Sequence, residues 1–98
     1  IDKNLQNIPP LYAQENVANP ILYARYHIVE CDWEWYVMEY SPLQQLCFGL
    51  VVGDEIELGY FSLNELERLQ QRSGLEVVRD YQFQPTILKE LQNGKRIA

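Results

Sequence analysis

Strand-like text interrupted by turn formers fills residues 33–62 and limits the folds open to this chain. The segment reads WEWYVMEY, then LCFGLVV, then IELGYFS, and each piece is rich in β-branched and aromatic residues. Ser41-Pro42 separates the first two pieces, and Gly53-Asp54 separates the last two. This pattern predicts three consecutive strands of one antiparallel sheet.

A further strand is expected just before this segment, at residues 21–31. Its even-numbered positions are mostly apolar and should face the core, whereas its odd-numbered positions mix aromatic and charged groups and should be partly exposed. A short turn at residues 31–32 follows. The strand should therefore pair with the one at residues 33–40.

The register of this first hairpin decides which side chains share a face. Pairing odd-numbered residues with odd-numbered residues keeps Arg25 and His27 on the face of Trp35 and Glu39. A loop of about three residues would place Arg25 directly opposite Glu39. We predict that ion pair.

The next two strands are expected at residues 46–52 and 56–61. Gly49 inside the first of them indicates a β-bulge or a close contact between backbones. Gly59 inside the second leaves a gap in the side-chain cover of the sheet.

A helix should begin directly after these strands. Ser62 and Glu65 match the capping box, in which the serine side chain accepts a hydrogen bond from the Glu65 amide. Gly74 is typical of a helix end. The apolar stripe of this amphipathic helix consists of Leu63, Leu66 and Leu69.

The rest of the chain completes one predicted domain over residues 1–98. Residues 1–20 should form an extended arm, residues 75–81 an edge strand, residues 86–91 a short C-terminal helix, and residues 94–98 a frayed tail. Strands followed by helices predict an α+β fold: an antiparallel meander of four to five strands with the amphipathic helix on one face. The other face has no obvious second layer.

The charge of the chain restricts its partners. Eight Lys+Arg against fourteen Asp+Glu give a net charge of −6. Non-specific nucleic-acid binding and adhesion to anionic membranes both need a basic surface, so neither is expected. An acidic surface can instead meet a basic protein partner, although solubility is the preferred interpretation of the charge. No apolar run approaches the ~18 residues of a membrane span, and the cytoplasm is the expected compartment.

Nucleophilic and metal chemistry have weak sequence support. His27 is the only histidine, and a pair with Cys47 on a neighbouring strand stays open, although a half-exposed strand histidine is the preferred interpretation. Acidic residues would hold a divalent metal only if several converged. Solvated charges are the preferred interpretation of that set, so no metal and no cofactor are predicted. The acidic set comprises Glu39, Asp54, Glu55, Glu57 and Asp80.

An aromatic surface is the remaining candidate. Tyr23, Arg25, Trp33 and Trp35 could stack on the bases of a single strand. The basic groove that usually accompanies such a platform is missing, because acidic residues dominate the nearby sequence. Core packing or protein contact is therefore the preferred role of these aromatic residues.

Several signatures together resemble a family catalogued as the domain of unknown function 2958. They are residues 9–15 (PPLYAQE), 35–40 (WYVMEY), 48–51 (FGLV), 57–63 (ELGYFSL) with 65–66 (EL), and 79–80 (RD). The resemblance spans roughly residues 8–91. It implies a small bacterial protein of plasmids, phages or other mobile elements and supplies no reaction.

The signatures also predict where to look for a site. Trp35, Glu39, Arg79 and Asp80 could form a small polar and aromatic site, although a buried ion pair that fixes the fold is the preferred interpretation. The predicted binding residues are Tyr23, Arg25, Trp33, Trp35, Glu39, Arg79 and Asp80.

The sequence thus favours a non-enzymatic interaction module that binds a protein partner, or a second copy of itself, through an aromatic-rich sheet face. Strand addition at the sheet edge is a second binding mode. A host DNA-handling protein, met by an acidic mimic of nucleic acid, is one expected partner. Two alternatives stay open: a metal-dependent enzyme acting on nucleic acid or nucleotides, and a single-strand nucleic-acid binder.

Overall fold

Nine elements make up the structure, a computed structural model that describes residues 1–95. They are β1 (Ile21–Leu22), β2 (Ala24–Ile28), β3 (Glu34–Ser41), β4 (Leu46–Val52), β5 (Ile56–Ser62), α1 (Leu63–Ser73), β6 (Val77–Arg79), β7 (Thr86–Ile87) and α2 (Leu88–Lys95). Five antiparallel strands lie in the order β5-β4-β3-β2-β6, and β1 pairs with β7 in a small second sheet. The predicted α+β class is confirmed, with a β2–β5 meander, an amphipathic α1 and a short C-terminal helix.

Helix α1 begins and ends as its sequence predicts. The Ser62 hydroxyl accepts a hydrogen bond from the Glu65 amide at 3.0 Å, which satisfies an amide that the helix leaves without a partner. Gly74 has φ 74°, in the left-handed region, and its amide donates to the Gln70 carbonyl at 2.9 Å. Both ends of α1 are therefore encoded locally.

Several element boundaries differ from the sequence prediction, among them that of the predicted edge strand at residues 75–81, which is shortened to β6. The expected strand at residues 21–31 divides, because β1 leaves the main sheet and pairs Ile21 with Ile87 of β7. Residues 86–87 are therefore strand, and α2 starts only at Leu88, whose amide donates to the Pro20 carbonyl at 2.8 Å. Gly94, expected in a frayed tail, belongs to α2, while residues 96–98 of that tail lie outside the described residues.

The sheet has two covered faces. The face under α1, called the α1 face, carries a core made by Tyr26, Trp35, Val37, Cys47, Phe61, Leu63 and Leu66. The opposite face, called the α2 face, carries a second cluster made by Leu22, Tyr36, Met38, Leu50, Val52 and Leu88. The expectation that the second face lacks a layer was wrong, because β1, α2 and the chain around Phe83 and Leu91 cover part of it.

The N-terminal arm, residues 1–20, contains neither helix nor strand, and consecutive turns occupy residues 10–17 of the predicted extended segment. Leu5 buries its side chain in the core of the α1 face, and Ile1 and Ile8 pack against that core. Beyond Ile8 the arm crosses to β3, where the Tyr40 amide donates to the Pro9 carbonyl at 2.9 Å. None of the helices in the described chain is long and apolar enough to cross a membrane.

Candidate functional site

The predicted register of the first hairpin was wrong. Arg25 lies opposite Tyr36, and Tyr26 lies opposite Trp35, so odd-numbered residues of β2 face even-numbered residues of β3. The length of the loop explains this register. The Ile28 amide donates to the Trp33 carbonyl, so a loop of four residues, 29–32, closes the hairpin, and an even number of loop residues pairs odd with even positions. Arg25 and Trp35 therefore project from opposite faces of the sheet.

Trp35 is a core residue rather than a contact residue. Its side chain is 4% exposed and packs in the same cluster as Leu66 of α1. Trp33 lies at the rim, 36% exposed, with its ring centroid 5.9 Å from that of Trp35. Tyr23 is half-buried between β1 and β2, and its amide donates to the Val37 carbonyl. The aromatic platform expected from these residues does not form a single surface.

Glu39 binds the N-terminal arm and does not pair with Arg25, its predicted partner. Its carboxylate is 3% exposed, and its two oxygens accept the backbone amides of Tyr12 at 2.8 Å and Gln14 at 2.7 Å. The Gln14 side chain continues this anchor, because its amide donates to the carbonyls of Ile21 and Met38, both at 2.9 Å. The PPLYAQE and WYVMEY signatures therefore meet in space.

A β-bulge brings Glu39 to this position. Val37 pairs with Gly49 and Glu39 with Phe48, so Met38 is the extra residue of β3. Because of that insertion, Glu39 follows Met38 onto the α2 face, where it lies beneath the arm. The prediction of a bulge or a close backbone contact at Gly49 is confirmed, with the extra residue on the facing strand β3.

Arg79 and Asp80 diverge, as neighbours on an extended chain do. The Arg79 guanidinium lies 5.6 Å from the ring centroid of Tyr26 and 5.5 Å from that of Tyr81, and it donates to the Asn4 carbonyl at 3.1 Å. Asp80 instead accepts from Arg25 at 2.9 Å. The structure thus does not bring Trp35, Glu39, Arg79 and Asp80 into one site.

Arg25 and Asp80 do belong to a polar network, together with Glu34 and Tyr36. Arg25 donates to Glu34 Oε1 from Nη2 at 2.7 Å and from Nε at 3.0 Å, and the Tyr36 hydroxyl donates to the same oxygen at 2.7 Å. Burial acts to lower the pKa of Arg25, but its hydrogen bonds to Glu34 and Tyr36 raise it overall. The network joins β2, β3 and the segment after β6, and its hydrogen bonds hold these three parts of the chain together.

The sequence missed Glu34 and Tyr36 because the assumed parity put them on the wrong face. An open cavity of about 620 Å³ adjoins the network, and His27 and Trp33 contribute to its lining. Cys47, fully buried on the α1 face, is separated by the sheet from His27 on the α2 face. Within residues 1–95, no three His, Cys, Asp or Glu side chains come together in a way that could hold a metal ion.

A second cleft lies where the arm passes over β4 and β5, and we name it the β5 cleft. Its volume is about 310 Å³. Three large side chains at its rim are exposed: Tyr12 by 64%, Leu58 by 45% and Tyr60 by 52%. Its lining residues are Tyr12, Gln14, Glu15, Val17, Pro20, Met38, Glu39, Phe48, Leu58 and Tyr60. Of the predicted site residues, this cleft contains only Glu39.

The comparisons with known proteins place the chain without assigning an activity. The model of a family described as "Protein of unknown function (DUF2958)" matches residues 5–91. No curated protein and no solved structure matches the chain. The matched segment includes the arm anchored by Glu39, the whole five-stranded sheet and both helices up to Leu91. The chain therefore belongs to the DUF2958 family of proteins of unknown function.

Proposed function

We propose that this protein is a non-enzymatic interaction module that binds an extended segment of a partner protein along β5. The observation that carries the proposal is an edge strand with a row of exposed apolar side chains beside the β5 cleft. Ile56, Leu58 and Tyr60 are exposed by 39%, 45% and 52%. Soluble proteins tend to protect such edges, so an apolar edge strand is a candidate for pairing with another chain.

The backbone of β5 supports strand addition. Within the described chain, β5 pairs with one strand, β4, along Ile56–Ser62 and lies at the end of the sheet order. An added strand would pair with the backbone groups along the outer edge, and alternate side chains would provide specificity. The three exposed side chains sit at alternate positions, which places them on one face.

The cover over the α2 face stops short of this region. Leu88 is buried in one cluster with Leu50 and Val52, whereas Phe48 at the β5 side is only partly buried. The Phe48 and Tyr60 ring centroids are 4.9 Å apart at 57°, which extends the apolar row across two strands. A bound segment would therefore find both a free strand edge and an aromatic surface.

The net charge of −6 favours a basic partner over a second copy of the chain, because two acidic copies repel each other. A basic host DNA-handling protein in the cytoplasm of a bacterium that carries a mobile element is the partner we consider within this proposal. A single-strand nucleic-acid site has less support, because Arg25 and Arg79 lie on opposite faces of the sheet. No observation favours a metal-dependent enzyme.

Selection from a displayed library of random peptides of about twelve residues tests the proposal. We expect the selected peptides to bind the wild-type protein, to lose at least about tenfold in affinity for Leu58→Asp, and to bind Leu43→Asp unchanged. Leu43 is the matched control because it is 96% exposed in the turn between β3 and β4 and does not line the β5 cleft.

Two results would contradict the proposal. One is a set of selected peptides whose affinity is indifferent to Leu58→Asp. The other is a concentration-dependent dimer that Leu58→Asp dissociates, since β5 would then serve self-association instead of partner binding.

A further inference from the structure

The β5 cleft combines aromatic rings with carboxylates. Tyr12, Phe48 and Tyr60 line it with rings, and Glu15 supplies an exposed carboxylate, whereas the buried carboxylate of Glu39 already accepts the amides of Tyr12 and Gln14 and adds only its charge. Of the described residues that line the cleft, none is a lysine or an arginine. Aromatic faces carry negative electrostatic potential and attract cations, and carboxylates act in the same direction.

The position of Tyr12 is unusual and is built in. Its φ is 74°, a left-handed conformation that a bulky residue seldom adopts, and its ring remains 64% exposed. Glu39 fixes that conformation by accepting the Tyr12 amide at 2.8 Å. Strained backbone of this kind is common where a side chain forms part of a ligand clamp.

The two tyrosines at the cleft mouth lie in a negative environment. The neighbouring Tyr12 side chain raises the pKa of Tyr60 most, desolvation raises it next, and the charges of Glu39 and Glu15 add smaller effects. The negative charges that disfavour ionisation of the tyrosine would attract a cation that enters between these rings. The remaining wall is apolar and suits the aliphatic stem of a lysine or arginine side chain. It consists of Val17, Pro20, Met38 and Leu58.

We infer that the β5 cleft is an anchor site for one lysine or arginine side chain of the segment that binds along β5. The alkyl stem packs against Leu58 and Met38, and the cationic group lies between the Tyr12 and Tyr60 rings beside Glu15. This inference rests on the proposed function and adds the chemistry of the partner. A volume of about 310 Å³ is sufficient for one such side chain.

The test uses two small probes that differ in one group. N-acetyl-lysine methylamide carries the ammonium, and N-acetyl-norleucine methylamide carries the same stem without it. In NMR titrations we expect the lysine probe to shift the signals of Tyr12, Met38 and Tyr60 saturably, and to bind about tenfold more tightly than the norleucine probe. Added salt should weaken the lysine probe selectively.

Variants locate the effect. Tyr60→Leu keeps an apolar wall and removes the ring, and Glu15→Gln removes an exposed charge without changing shape. Each should weaken the lysine probe and leave the norleucine probe unchanged, whereas Leu43→Asp should change neither. Equal binding of both probes, or shifts that map away from the cleft, would overturn the inference.

The same probes separate this inference from the proposed function. Selected peptides that need Leu58 but carry no basic residue at a fixed position would refute the cation anchor and leave strand addition standing. A lysine probe that binds in the cleft, together with peptides indifferent to Leu58→Asp, would support the anchor chemistry and refute binding along β5.

Discussion

Replacing Gly49 with alanine should damage the fold severely, because the structure leaves no room for a Cβ there. An ideal Cβ on Gly49 would lie 1.8 Å from the Tyr36 carbonyl oxygen, 2.9 Å from the Tyr36 carbonyl carbon and 3.0 Å from the Met38 amide nitrogen. All three atoms belong to the backbone of β3 at the bulge, so no side-chain rotation relieves the contact. Strands β3 and β4 would have to separate.

The magnitude follows from two contributions. Overpacking in a well-packed interior costs about 1–3 kcal/mol, and each buried backbone hydrogen bond lost when the strands separate costs roughly 1 kcal/mol or more. We therefore expect Gly49→Ala to lower the free energy of unfolding by about 4 kcal/mol. That is a large part of the ~5–15 kcal/mol typical of a domain of this size, so partial unfolding at 25 °C is a consistent outcome.

Gly59 provides a matched control, since it pairs directly with Gly49 across the β4–β5 ladder. A Cβ on Gly59 would meet nothing within 4 Å. Gly59→Ala should therefore change the free energy of unfolding by less than about 0.5 kcal/mol, or raise it slightly through the unfolded state. Urea denaturation followed by circular dichroism measures both variants. A loss below about 1 kcal/mol for Gly49→Ala, or equal losses for both, would refute the close approach.

Three further predictions concern single side chains. Burial raises the pKa of the Cys47 thiol to about 12. Iodoacetamide at pH 8 should therefore modify Cys31 in the folded protein and reach Cys47 only in denaturant. Mass spectrometry that finds Cys47 modified first would contradict its burial. Glu39→Ala leaves two backbone amides without their acceptor and should lower the free energy of unfolding by about 3 kcal/mol. At the exposed Glu57, the same change to alanine should cost less than about 0.5 kcal/mol. Similar losses for both variants in a urea titration would argue against Glu39 as the anchor of the N-terminal arm. Ser62→Ala removes the N-cap of α1 and should cost about 1 kcal/mol in the same assay, and an unchanged midpoint would show that the cap contributes nothing.

Local sequence signals predicted much of the fold. β-branched and aromatic residues between turn formers placed β3, β4 and β5, and the capping residues Ser62 and Gly74 placed α1, because each signal depends on neighbours a few residues apart. Gly49 predicted the bulge for the same reason: a glycine within an apolar strand permits close backbone approach.

The candidate site was less predictable because it depends on parity and on distant contacts. A change of one residue in the length of the β2–β3 loop reverses which residues of the two strands share a face. In the structure Trp35 therefore lies in the core, and Arg25 lies beside Glu34. Glu39 finds its partners in the arm, at Tyr12 and Gln14, and no local pattern encodes that distance. The division of the first predicted strand likewise depends on β7, far along the chain.

Amide hydrogen exchange reports directly on whether β5 accepts an added strand. Exchange of the β5 amides would be followed by NMR in the protein alone and in complex with a selected peptide. We expect the outward-facing amides of Ile56–Ser62 to exchange more slowly in the complex, while amides of β6 at the opposite edge keep their rates. Protection confined to β6, or unchanged exchange along β5 in a saturated complex, would contradict it.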